Sequence, residues 1–389
     1  MNKEELKQKF DTIFYNPGNL KYYFSPGRIN LIGEHIDYNG GLVFPCAISL
    51  GTYAVVSLRR DQKISLYSEN FSEAGVVSFA LSKDLKKENR WTDYVKGVIH
   101  EIYKAGHSLY QGFNAYIVGN LPNGASLSSS ASLELLFCEI IRDLNDLELT
   151  DLDLVQISQR AENNFVGLKC GIMDQFAIGM SKKNHAILLD CATLEYHYAP
   201  LDLKDHVILI LNTNKRRDLV TSKYNERRKE CEQGLEWIRN SYKKVDFLCK
   251  LEPKDIHFLD KNLVDEVIYK RVYHVISEMD RVKKTYKALL ELDLETVGKL
   301  LNESHQSLKE NYEVTGKELD TIVEVTQASA GVLGARMIGA GFAGCAIAIV
   351  KKEAVDEVIS KVKKAYLDKI GYACDIYLAE TSNRTKRIA

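Results

Sequence analysis

Three short stretches of this 389-residue chain gather side chains that could do chemistry. The first, "RINLIGEHIDYNGG" at residues 28–41, sets Arg28, Glu34, His35, Asp37 and Tyr38 among glycines. The second, "LPNGASLSSSASLELL" at 121–136, runs small residues into an amphipathic helix and places Ser128, Ser129 and Ser130 at its first turn. Unsatisfied backbone N–H groups and the helix dipole favour an anion there. The third, "RAENNFVGLKCGIMDQFAIGM" at 160–180, holds Glu162 at the edge of an apolar helix face and Asp174 among Ile172, Met173, Phe176 and Ala177. A carboxylate in apolar company is costly without a partner. The combined chemistry is phosphoryl transfer. A helix N-terminus holds phosphates, and Ser130 and Glu162 offer oxygen ligands to Mg²⁺. Asp174 accepts a hydroxyl proton, while Arg28 neutralises developing charge and favours the charged form of Asp174.

Each stretch alone has a plainer reading. Gly, Asn and Asp make polar turns, one serine suffices to cap a helix, and either acid could serve a structural salt bridge. No Walker A loop is present, because no lysine follows the glycine. "GAGFAG" at 339–344 fits GxGxxG by letter. A dinucleotide loop follows a strand and opens a helix; here a helix is expected to end near Arg336 and a strand, "CAIAIV", to follow.

These stretches must be positioned by an ordinary globular scaffold. The chain is 45% hydrophobic and 27% charged, with net charge -1, which argues against a nucleic-acid partner. No apolar run is long enough for a membrane span, and the N-terminus lacks the apolar core of a signal peptide. Eight cysteines form no CxxC pairs, so free thiols in a reducing cytoplasm are expected. Period-2 runs predict strands at "LVFPCAIS", "TYAVVSLR", "KISLYSE", "VVSFAL" and "GFNAYIV"; helical spacing predicts helices from Trp91, at 131–144, and over 151–165. Strands "HAILLD", "LEYHY" and "HVILIL" come next, then long charged helices. Clustered strands and clustered helices indicate an α+β fold, with two domains over 1–205 and 206–389.

The motifs together resemble the GHMP kinases, and within them the galactokinase family. "GRINLIGEHIDYNGG" resembles the signature G-R-x-N-x-I-G-E-H-x-D-Y, "LPNGASLSSSAS" the phosphate loop, "CGIMDQF" the catalytic segment and "RMIGAGFAGCAIAIV" the third motif. They occur in family order over nearly the whole chain. The resemblance implies two lobes with the active site between them; a monomer is expected. It implies that Asp174 is the base on the sugar 1-hydroxyl and Arg28 its transition-state partner. It assigns Glu34, His35, Ile36, Asp37, Gly171 and Tyr224 to galactose. It assigns Ser68, Gly124, Ala125, Ser126, Leu127, Ser128, Ser129 and Ser130 to ATP, and Ser130 and Glu162 to Mg²⁺. The chain departs from the family at Ser126, Ala340 and Ala343, where glycine is usual; a Cβ at positive φ costs about 1 kcal/mol. Ile36 replaces a common threonine, which keeps kinases for N-acetylgalactosamine or arabinose as alternatives, while Ser126, Ala340 and Ala343 keep a non-catalytic galactose/ATP sensor as another.

Overall fold

The computed structural model describes residues 2–15, 18–122, 127–215, 220–263 and 265–389. Alternation along the first long strands decides the first layer. In β3 (Pro45–Leu58), Ala54 and Val56 join one buried cluster while Val55 joins another, the two faces of a pleated strand. β3 pairs antiparallel with β1 (Leu20–Asn30), with a register shift at Pro26/Gly27. With β4 (Lys63–Ser68), β5 (Val77–Ala80), β6 (Phe113–Gly119) and β13 (Lys386–Arg387) they form a six-stranded sheet, ordered β13-β1-β3-β6-β4-β5. The two expected strands "LVFPCAIS" and "TYAVVSLR" are largely one, because the backbone runs extended through Gly51.

Helix α1 (Lys3–Ile13) covers one face with Leu6 and Phe10. Four helices cover the other: α2 (Asp93–Lys104), α3 (Ser129–Asn145), α4 (Asp151–Arg160) and α5 (Met173–Met180). Their apolar stripes, including Val98, Ile102, Leu136, Ile140, Leu154 and Phe176, are essentially fully buried. The helix expected over 151–165 changes character at Ala161, where a π-turn spans Ala161–Val166. Such wider turns often mark functional sites, and this one carries Glu162.

A small sheet of β2 (Leu42–Val43), β7 (His185–Asp190) and β8 (Tyr196–Pro200) follows. The second large sheet, ordered β10-β11-β9-β12, contains β9 (His206–Asn212), β10 (Val332–Ile338), β11 (Cys345–Lys351) and β12 (Asp375–Ala379). Both of its faces are covered. Ile208 and Ile210 meet a cluster that includes Val297 and Leu301, while Leu209 and Leu211 meet Val323, Val358 and Tyr366. The second half also holds α6 (Val220–Ser241), α7 (Ile256–Asn262), α8 (Glu266–Leu290), α9 (Leu294–Glu310), α10 (Lys317–Gln327) and α11 (Val355–Ile370). Residues 332–338 are therefore a strand and not the tail of a helix, a correction to the sequence reading. A fully buried strand is a continuous apolar run, which periodicity cannot tell from a buried helix. The turn "GAGFAG" joins two antiparallel strands, so it opens no helix and the dinucleotide reading fails on that side. Among the described residues no helix is long and apolar enough to cross a membrane.

Candidate active site

Four elements converge on one cavity of about 670 Å³. β1 delivers Arg28, which is 5% exposed. The start of α5 delivers Asp174, the start of α3 delivers Ser128 to Ser130, and the π-turn delivers Glu162; all line the cavity. Asp174 is held on both oxygens. Arg28 Nε donates to Oδ1 at 2.8 Å and Ser128 Oγ donates to Oδ2 at 2.6 Å. Charge-assisted bonds of this length are among the strong ones. Ser128 precedes α3 with φ 63° and does not cap the helix with its side chain. Its hydroxyl serves Asp174 instead, which removes the plain cap reading for that serine.

Glu162 is 6% exposed, and burial pushes its carboxyl above the ordinary range. The Ser130 hydroxyl and the Gln175 amide, at 2.7 Å, bind the carboxylate and oppose that rise. Across the cavity lie Glu34, His35, Asp37, Gly171 and Tyr224. Burial, then the nearby Glu34 charge, raise Asp37 to about 6. Burial lowers His35 to about 3, so the imidazole is neutral near pH 7. The His35 ring lies 5.7 Å from that of Tyr224, centre to centre. Gly171 leaves room for Asp37: a Cβ there would sit 2.5 Å from Asp37 Oδ2.

This arrangement places a clamped carboxylate between a helix N-terminus suited to phosphate and a polar pocket rich in acceptors suited to hydroxyls. The family model for the galactokinase galactose-binding signature matches residues 8–58. Those for the GHMP kinase N-terminal domain and C-terminal region match 93–182 and 285–368. The galactokinase of Staphylococcus saprophyticus is 50% identical over 386 residues, covering 99% of this chain and 100% of the relative. The chain belongs to the galactokinase family. The galactokinase of Clostridium perfringens is 50% identical over 384 residues, covering 98% of this chain and 99% of the relative. The crystal structure of Lactococcus lactis galactokinase complexed with galactose superimposes with TM-score 0.94 at 44% identity, over 99% of each chain. The α+β GHMP kinase fold expected from the sequence is the one observed.

As a member of the galactokinase family the chain is a sugar kinase, with ATP as co-substrate, and its residues can be placed against that activity. Leu127, Ser128, Ser129 and Ser130 line the cavity. Gly124, Ala125 and Ser126 lie outside the described residues. Ile36 is fully buried in the hydrophobic core, and Ser68 is 4% exposed at the end of β4; the structure brings neither to the cavity wall. Positive φ in the third motif falls on Gly339, Gly341, Phe342 and Gly344, so Ala340 and Ala343 carry no left-handed strain. Gly341 has φ 76°, and a Cβ there would meet the Val314 carbonyl oxygen at 2.2 Å.

Reasoning from the sequence missed Arg336. This β10 residue is 0% exposed and lies 3.2 Å from Glu34 Oε1. Its Nη1 donates to the carbonyls of Asn30 and Leu31 at 3.0 and 2.8 Å, and the Gly339 amide donates to Glu34 Oε1 at 2.9 Å. The third motif therefore grips the first. The signal available was an arginine inside an apolar run, "VLGARMIG", which needs a buried acceptor.

Proposed function

We propose that this chain transfers the γ-phosphoryl group of ATP to the 1-hydroxyl of galactose, giving galactose 1-phosphate and ADP. The observation that carries the reading is Asp174, fixed by Arg28 and Ser128 between the start of α3 and the acidic pocket. The sugar 1-hydroxyl approaches Asp174, which receives its proton as the oxygen–phosphorus bond forms. A loose transition state delays that proton transfer, so early on Asp174 mainly orients the hydroxyl. Arg28 offsets the charge accumulating between Asp174 and the phosphoryl group. Amides at the start of α3 receive the phosphates. Glu34, His35, Asp37 and Tyr224 hold the remaining sugar hydroxyls, and an epimer that fails to pair with them leaves buried polar groups unsatisfied.

Mg²⁺ fits the donors present. Glu162 is a buried carboxylate beside the Ser130 hydroxyl, and magnesium typically takes one or two protein oxygens with phosphates and water completing its shell. The ion would screen phosphate charge; Ser130 and Glu162 would hold it. Ile36 lies behind the pocket wall, so its departure from threonine gives no direct contact favouring another sugar. We further propose a monomer, since every group assigned above comes from one chain. We propose a cytoplasmic setting, since all eight thiols are free. A domain seam near 205 also accords with the order of the strands, β13 apart.

The test is direct. Purified protein with ATP, Mg²⁺ and galactose should release ADP, and no release above an Asp174→Ala control would sink the proposal. A sugar panel should rank galactose above N-acetylgalactosamine and arabinose in kcat/KM.

A further inference from the structure

His35 has a left-handed backbone, φ 62°, in the turn that presents Glu34 and His35 to the cavity. That conformation crowds the Cβ of an L-residue against the following carbonyl. Such strain persists at functional sites where the surroundings over-determine it. Here the surroundings include three buried side chains. Glu278 Oε1 accepts from the Gly33 amide at 2.9 Å, His274 Nε2 lies 3.2 Å from the Glu34 carbonyl oxygen, and Asn39 Nδ2 donates to the His35 carbonyl at 2.9 Å. Three consecutive residues thus each have a main-chain group tied by a side chain. Glu278, His274 and Asn39 are 0%, 0% and 6% exposed, and no step of the proposed reaction uses them.

The direction of each bond follows from the atoms themselves. A carbonyl oxygen only accepts, so His274 must carry a proton on Nε2 and Asn39 must present its amide nitrogen. The other His274 nitrogen, Nδ1, lies 2.9 Å from Ser307 Oγ. The Asn311 amide donates to Ser307 Oγ at 3.3 Å, which leaves the hydroxyl proton for His274. Burial lowers His274 to about 4, so near pH 7 the ring is neutral and Nδ1 accepts. Glu278 is satisfied as well, by Ser304 Oγ on Oε1 and Arg281 Nε on Oε2, both at 2.7 Å. His274 and Glu278 are four residues apart on one face of α8, and Ser304 and Ser307 are three apart on one face of α9. Two helices bonded to each other therefore hold the main chain of the turn.

We propose that His274 is a positioning residue: with Glu278 and Asn39 it holds the Glu34–His35 peptide in its strained conformation, so that the Glu34 carboxylate and the His35 ring stand ready for the bound sugar. The identity of that ligand rests on the function proposed above. A turn ordered before the ligand arrives spares the complex the cost of ordering it. Release of the Glu34 carbonyl lets His35 relax toward negative φ, which carries its ring out of place. Binding must then restore the strain and weakens accordingly. Asp174 is held separately, by Arg28 and Ser128, so saturating turnover should change less than galactose affinity.

The experiment compares full-length wild type, His274→Leu and His274→Gln by crystallography, by long-range ¹H–¹⁵N spectra of histidine-labelled protein, and by titration with galactose and ATP. The His274 signals are identified by their loss in the variants. The wild type should show the Nε2–H tautomer at His274. His274→Leu should show the Glu34–His35 peptide turned and the His35 ring moved. Its galactose affinity should fall about fivefold, the scale of one neutral hydrogen bond, with ATP affinity unchanged. His274→Gln, whose amide can reach the same carbonyl, should keep the turn and restore galactose affinity. An Nδ1–H tautomer in the wild type overturns the proposal. So does an unmoved turn in His274→Leu, or a glutamine variant as weak as the leucine one. Should His274→Leu fail to fold, Asn39→Ala, which frees the His35 carbonyl, is held to the same structural and binding outcomes. A wild type with no affinity for galactose would refute the proposed substrate, and the crystal structures would then decide the clamp.

Discussion

Gly171→Ala separates sugar binding from folding. Gly171 does not have positive φ, so alanine brings no left-handed strain. The added Cβ would lie 2.5 Å from Asp37 Oδ2 and 3.6 Å from Asp37 Cγ. Ordinary van der Waals contact begins near 3.4 Å, so the carboxylate must retreat by roughly 1 Å, as core side chains resist overlap. The intruded atom is the tip of a side chain, so a rotation relieves the overlap and the fold survives. On the proposed function, the displaced carboxylate would lose its bond to the sugar. A hydrogen bond to a charged group contributes about 1.5–3 kcal/mol, and each 1.4 kcal/mol is about tenfold. Galactose KM should therefore rise by about 10- to 150-fold, with ATP KM nearly unchanged. Steady-state ADP release with each substrate varied measures both, and thermal melting should stay within a few degrees of wild type. A galactose KM within twofold of wild type would refute the reasoning. So would an equal rise in ATP KM, which would mean the damage is not local to the sugar pocket.

Three further outcomes are expected. Asp174→Asn keeps the shape of the clamp yet cannot take a proton, so kcat should fall by about 10²- to 10⁴-fold with the melting temperature little changed; near-normal turnover would contradict the role of Asp174. Arg336→Met strips Glu34 of its buried partner and two carbonyls of their donor, at a cost of about 3–5 kcal/mol; an unchanged urea midpoint would count against it. Burial lowers His274 to about 4 from 6.5, so between those pH values the unfolded chain holds a proton that the folded chain lacks. Its contribution is full above about pH 6.5 and is lost as pH falls toward 4. His274→Asn should therefore lose less stability than wild type between pH 6 and 5, by about 1 kcal/mol, whereas parallel curves would exclude this.

The site was legible where its parts are close in sequence. The crowding of Arg28, Glu34, His35 and Asp37 in one turn, and of three serines at a helix start, announces chemistry because such residues are costly to gather without a use. What spacing could not give is contact across the chain. Ser128 and Asp174 are 46 residues apart, and Gly339 and Glu34 are 305 apart. No local periodicity couples them, so the serine read as a phosphate contact also became a clamp on Asp174, and Arg336 passed unnoticed. β10 was mistaken for helix because burial on both faces erases alternation. The assignment of Ile36 to sugar followed its neighbours in the signature. Its own side chain turns inward to the core, as an apolar residue in a polar turn can.

The short strand β13 has a consequence for biosynthesis. It seats Lys386 and Arg387 beside Phe24 and Tyr23 of β1, and Thr385 meets Ser25 at 2.8 Å. These residues leave the ribosome after the whole second sheet. Until then the nascent first sheet exposes the β1 edge, the strand that carries Arg28, and bare edges invite pairing with other chains. Vectorial synthesis thus makes a later strand the shield of an earlier one, and a translation product stalled between them would present a sticky border rather than a finished lobe.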